Sequence, residues 1–93
     1  MVIGVVSWEL RLEEARSLKD KRSVLQSIKT RLHNEFNVSV AETGRHDAWQ
    51  HAELTACVVS ADRRHAESVL ASVDRFVAGS PRCRIIDTVT SYL

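Results

Sequence analysis

Six cations and one acid lie between Arg16 and Arg31, a local charge of +5 in a chain whose formal total is +1. The densest part, Arg16-Ser17-Leu18-Lys19-Asp20-Lys21-Arg22, has the pattern of a helix start. Unpaired N–H groups make a first helical turn partly positive, so cations are disfavoured there and anions attracted. Lys19, Lys21 and Arg22 therefore have two readings. Either their side chains reach out into solvent, or the place is built to hold an anion such as a phosphate. Arg63 and Arg64 repeat the pattern near a second helix start, which weakens the case for a dedicated anion site.

Other chemistry-bearing residues point nowhere sharp. His46 and His51 flank a loop, and Cys57 and Cys83 lack the paired spacing of structural zinc ligands, so no metal and no cofactor is expected. His46 beside Asp47, with Glu42 and Glu53 nearby, has the residue types of an acid–base pair, but adjacency in sequence supplies neither pocket nor substrate geometry. The structural alternative is that Asp47 bonds the turn's backbone and Trp49 plugs one end of the core. Ser60, Asp62 and His65 read as a helix entry capped by Ser60 or Asp62, not as a triad. No catalytic residue is assigned, and the chain is not expected to be an enzyme.

These residues must be positioned by a small fold. Ninety-three residues, 44% apolar and 27% charged, suit one domain over residues 1–93 with a modest core. Met1 to Leu12 lacks the pattern of a signal peptide, and no apolar run reaches membrane-spanning length. The expected location is the cytoplasm, where two cysteines remain free thiols. No membrane partner and no DNA partner is expected.

Val6, Trp8, Leu10 and Leu12 alternate with Ser7, Glu9 and Arg11, the period of a strand with one buried face. Ser17 followed by Asp20 resembles a capping box, and Leu18, Val24, Leu25, Ile28 and Leu32 carry a helix from about Leu18 to Asn34. Val38 to Thr43 and His51 to Ser60 alternate again around a loop from Gly44 to Gln50. Val69, Leu70, Val73, Phe76 and Val77 mark a second helix, from near Asp62 to just before Gly79. A last strand spans about Arg84 to Tyr92. The order βαββαβ is the split βαβ pattern of an α+β, ferredoxin-like sandwich. Right-handed crossovers then give an antiparallel sheet of order 4-1-3-2, with both helices on one face.

Along its length the chain also resembles a known family. Glu14-Ala15-Arg16-Ser17-Leu18-Lys19-Asp20-Lys21-Arg22, Phe36-Asn37-Val38-Ser39-Val40-Ala41-Glu42, and Asp47, Trp49, Gln50, Ala52 and Glu53 together are similar to the YlxP-like bacterial domains of unknown function. The resemblance implies a ferredoxin-like fold and no catalytic or binding residues. It offers the context of genes for translation and ribosome maturation. Asp20 stands where the family usually has glutamate, which shortens the capping side chain.

The topology gathers Arg16, Lys19, Lys21, Arg22, Arg45, His46, Arg82 and Arg84 at one end of the sheet. Such a basic end predicts a non-catalytic, translation-associated factor that docks on structured RNA or a ribosomal particle. RNA-recognition domains of this shape stack bases on aromatic residues of the open sheet face. Here that face carries Ser7, Glu9, Arg11, Glu53, Thr55 and Cys57, so contacts to RNA backbone or shape are expected instead. The alternative is a homodimeric or ligand-sensing module acting through an apolar patch of Ile3, Val5, Cys57 and Val59 on the same face.

Overall fold

Alternation of apolar and polar residues along the first strand fixes which side of the sheet is covered. In a computed structural model that describes all residues 1–93, the order is β1 (Val2–Arg11), α1 (Leu18–Glu35), β2 (Ser39–Gly44), β3 (His51–Ser60), α2 (Arg63–Ala78) and β4 (Arg84–Tyr92). The four strands lie in the order β2-β3-β1-β4 with every pairing antiparallel, which is the expected ferredoxin-like arrangement. β1 starts earlier than its alternation indicated. Val2, Ile3, Val5 and Val6 are apolar on both faces, so the period of two is erased there although the strand continues.

Val6, Trp8 and Leu10 of β1 and Ala52, Leu54, Ala56 and Val58 of β3 point to one side and are almost wholly buried. Val24, Leu25, Ile28 and Leu32 of α1, with Ala66, Leu70, Val73 and Val77 of α2, close that side. Trp8 is fully buried in the core, and its indole N–H donates to Asp74 Oδ1 at 2.8 Å. Gly4 lies where α2 crosses the sheet: a Cβ there would come within 2.9 Å of Leu70 Cδ1.

Both helix starts are capped by neighbouring side chains. Ser17 Oγ accepts from the Asp20 amide at 3.0 Å, while Asp20 Oδ2 accepts from the Arg16 amide at 2.9 Å. This is a capping box whose return arm reaches the residue before the cap. Asp62 caps α2 by accepting from Arg64 N–H at 3.0 Å, and Ser60 Oγ accepts from the Asp62 amide.

The helix layer covers β4 only at its ends, where Ile85 and Tyr92 are half-buried against the core. Thr88 and Thr90, which share the core side with Trp8 and Val6, are exposed, and so are Asp87, Val89 and Ser91 on the other side. A register shift opposite Glu9 and Leu10 puts a bulge at Ile86.

Candidate functional site

The apolar stripe of α1 contains one cation. Lys21, Val24, Leu25, Ile28 and Leu32 recur at helical spacing and are all buried, and Lys21 retains only 1% exposure. Its ammonium donates to the carbonyl oxygens of Arg45 at 2.7 Å, Ala48 at 2.7 Å and His51 at 3.1 Å. Glu42 Oε2 stands 2.9 Å away and balances the charge. Lys21 thus has no capacity left for an external anion, which corrects the expectation that it belongs to a phosphate site. A buried ammonium needs a counter-charge and a full set of acceptors; β2 supplies the first in Glu42, and two carbonyls of the β2–β3 loop with that of His51 at the start of β3 supply the second. Arg45 adopts φ 61° in that loop, and the turn is closed by the Ala48 N–H donating to Arg45 O at 3.1 Å.

The remaining cations divide into paired and free. Arg45 lies 2.6 Å from Glu9, while Arg84 at 2.7 Å and Arg11 at 3.6 Å share Glu13. Arg45 therefore has its own counter-charge, whereas Arg84 and Arg11 share one carboxylate between them, and the basic end is broken by acids. Arg16, Lys19, Arg22 and Arg82 form no ion pair with a carboxylate. Lys19 and Arg22 line a shallow groove of about 540 Å³ between α1 and the free edge of β2, together with Gln26 and Lys29. Lys29 is also unpaired. Glu42 borders the groove, but its carboxylate is committed to Lys21. Arg82 stands apart, in a hollow of about 250 Å³ with Arg11, Glu13, Glu14 and Arg84. The sequence reading missed Lys29, although its spacing of seven from Arg22 places both on one helix flank.

At the second helix start, Arg63 lies over the Tyr92 ring at 3.7 Å and pairs with Glu67 at 3.2 Å. These contacts account for its place there without any anion.

His46 and Asp47 are both exposed in the hairpin loop, and Trp49 is 53% exposed beside a shallow hollow formed with Asp47, Gln50 and His51. Trp49 does not plug the core as expected: Leu12 and Ala15 are buried, and Trp49 is left outside. No three His, Cys, Asp or Glu side chains converge as a metal site would need. Cys57 and Cys83 are free, and burial pushes the Cys83 thiol above the usual thiol range.

On the open face the expected register holds, with Ile3 opposite Val59 and Val5 opposite Cys57. Val59 is exposed, whereas Ile3, Val5 and Cys57 are half-buried. Beside this patch, Ser7 Oγ and Thr55 Oγ1 are 2.8 Å apart and Thr43 Oγ1 lies 2.7 Å from Thr55 Oγ1. The Thr43 hydroxyl also lies 2.6 Å from Glu53 Oε1. The face is thus apolar towards one end and polar in its middle. No helix is long and apolar enough to cross a membrane.

A family model described as "Protein of unknown function (DUF503)" matches residues 3–90. The chain is 37% identical over 91 residues to "Uncharacterized protein YlxP" of Bacillus subtilis (strain 168), covering 98% of this chain and 99% of that protein. Among solved structures, the de novo designed protein Foldit4 superposes with a TM-score of 0.57 at 15% identity, over 98% of this chain and 97% of that one. A second de novo design, LFR1 1, described as having a ferredoxin fold, gives a TM-score of 0.55 at 14% identity, over 100% and 84%. At those identities the likeness concerns the fold alone.

Proposed function

Because the chain belongs to the DUF503 family of proteins of unknown function, we propose from its own surface that it is a small non-catalytic factor binding structured RNA or a ribosomal particle through the outer flank of α1. The observation that carries this reading is the row Lys19, Arg22 and Lys29, three cations without carboxylate partners along one groove. Phosphate contacts fix position and orientation without reading sequence. Arg16, also without a carboxylate partner, lies just before the helix start, where its backbone N–H donates to Asp20 Oδ2. Base stacking on the sheet is not part of the reading, since the central strands put no aromatic residue on the open face.

Three phosphate contacts give a salt slope of about −2.1 to −2.7, so affinity should fall roughly 20- to 40-fold between 50 and 200 mM salt. The test is cosedimentation with ribosomal particles across that range, beside a Lys19→Gln, Arg22→Gln, Lys29→Gln variant. Lys21 stays untouched because its loss would perturb the fold. Steep salt dependence abolished in the variant supports the reading; equal binding by both proteins refutes it.

A second reading is a homodimeric or ligand-sensing module using the open face. Its supporting observation is Val59, 64% exposed beside Ile3, with Val89 61% exposed across β1.

A further inference from the structure

β4 is an edge strand whose outer backbone is unspent. Ile3 and Leu93 exchange bonds in both directions, N–H of Ile3 to O of Leu93 at 3.1 Å and N–H of Leu93 to O of Ile3 at 2.8 Å. In an antiparallel ladder such mutual pairs recur every second residue. Ser91 opposite Val5 and Val89 opposite Ser7 therefore bond inward, and Thr88, Thr90 and Tyr92 turn their N–H and C=O groups away from β1. One side-chain contact agrees: the Thr88 amide donates to Asp87 Oδ1 at 3.0 Å instead of to a strand.

We propose that Thr88 to Tyr92 of β4 pairs with the same segment of a second copy of this chain, antiparallel about a two-fold axis at Thr90. In that register Thr90 faces the second copy's Thr90, and each Thr88 faces the opposite Tyr92. Every outward group of the segment gains a partner, about six bonds in all. The two sheets become one of eight strands. The occupant is a second copy because the segment is self-complementary: the bulge at Ile86 ends the straight stretch on one side, which centres the symmetric overlap on Thr90. Usual edge guards are sparse here. The segment has no lysine and no proline, three of its five residues are β-branched, and Val89 is 61% exposed. The guards present are the bulge at Ile86, which lies outside the segment, and Asp87, whose carboxylate occupies the Thr88 amide and must rotate away for pairing. With five residues a side against the roughly 20–30 of a stable interface, the dimer is weak, with a dissociation constant on the order of 100 µM.

Sedimentation equilibrium from 10 µM to 1 mM, with amide hydrogen exchange at both ends of the range, tests this. Dimer is expected at the upper end, with protection rising at Thr88, Thr90 and Tyr92. Thr90→Pro deletes only an outward N–H, which an edge strand tolerates, and should keep the fold and abolish the dimer. Thr90→Lys sets two like charges face to face at the axis and should do the same, so a Thr90→Pro chain that fails to fold does not end the test. Asp87→Thr should tighten the dimer. Monomer at 1 mM overturns the proposal. So does a dimer insensitive to Thr90→Lys but dissolved by Val5→Glu, which would place the contact on the open sheet face.

Discussion

Replacing Lys21 by methionine keeps an unbranched apolar stem in the core and deletes the ammonium. The carbonyls of Ala48 and His51 then lose the ammonium as donor, that of Arg45 keeps only the Ala48 N–H, and the Glu42 carboxylate, 19% exposed, is left without its counter-charge. Breaking a buried pair from one side costs about 3–5 kcal/mol. A 93-residue domain is stable by roughly 5–14 kcal/mol, so this removes a large part of the total. With about 4–8 °C per kcal/mol for a domain of this size, Tm should fall by roughly 12–40 °C. Thermal and urea unfolding followed by far-ultraviolet circular dichroism would measure it. Removing the stranded carboxylate too, in Lys21→Met with Glu42→Leu, should recover part of the loss, so the two substitutions fall short of additive. A Lys21→Met protein that melts within about 3 °C of the parent would show that the ammonium is solvated and refute the reasoning. A folded Lys21→Met protein that has lost RNA binding would return Lys21 to the anion site.

Asp74→Ala strands the buried indole N–H of Trp8 and should cost about 1–3 kcal/mol, read in urea unfolding as a lower midpoint at unchanged slope. Cys83, its thiol held above the ordinary range by burial, stays protonated at pH values where an unperturbed thiol has begun to ionise. Because the thiolate is the reacting form, labelling of Cys83 in a Cys57→Ser background should accelerate only at higher pH than a model thiol requires; a rate matching the model thiol across the range would contradict the burial.

The order and type of every element could be read from the chain, because capping residues and apolar periods are local signals. β3 and β4 appear at the expected residues, and α2 begins one residue after its Asp62 cap. The candidate site was less legible. Proximity in sequence groups Lys21 with Lys19 and Arg22, although it shares the phase of Val24, Leu25, Ile28 and Leu32, and that phase is the available sign of burial. Arg45 and Arg84 looked like free cations because Glu9 and Glu13 are brought to them only by strand pairing and the end of β1. The bareness of β4 does carry a local signal: its core-side positions Thr88 and Thr90 are polar, where the covered β1 has Trp8 and Val6. Polar residues in that phase mark a stretch of strand that the helices leave uncovered.

The contacts of Lys21 with the β2–β3 loop are to main-chain oxygens, in a segment 24 to 30 residues away. The helix therefore sets the path of the loop through contacts that ask nothing of the side chains at those three positions. His46, Asp47 and Trp49 sit on a platform of constant shape whose outward chemistry can be rewritten by substitution without renegotiating the fold. Sequence drift in such a loop would alter what the protein touches and leave how it folds unchanged.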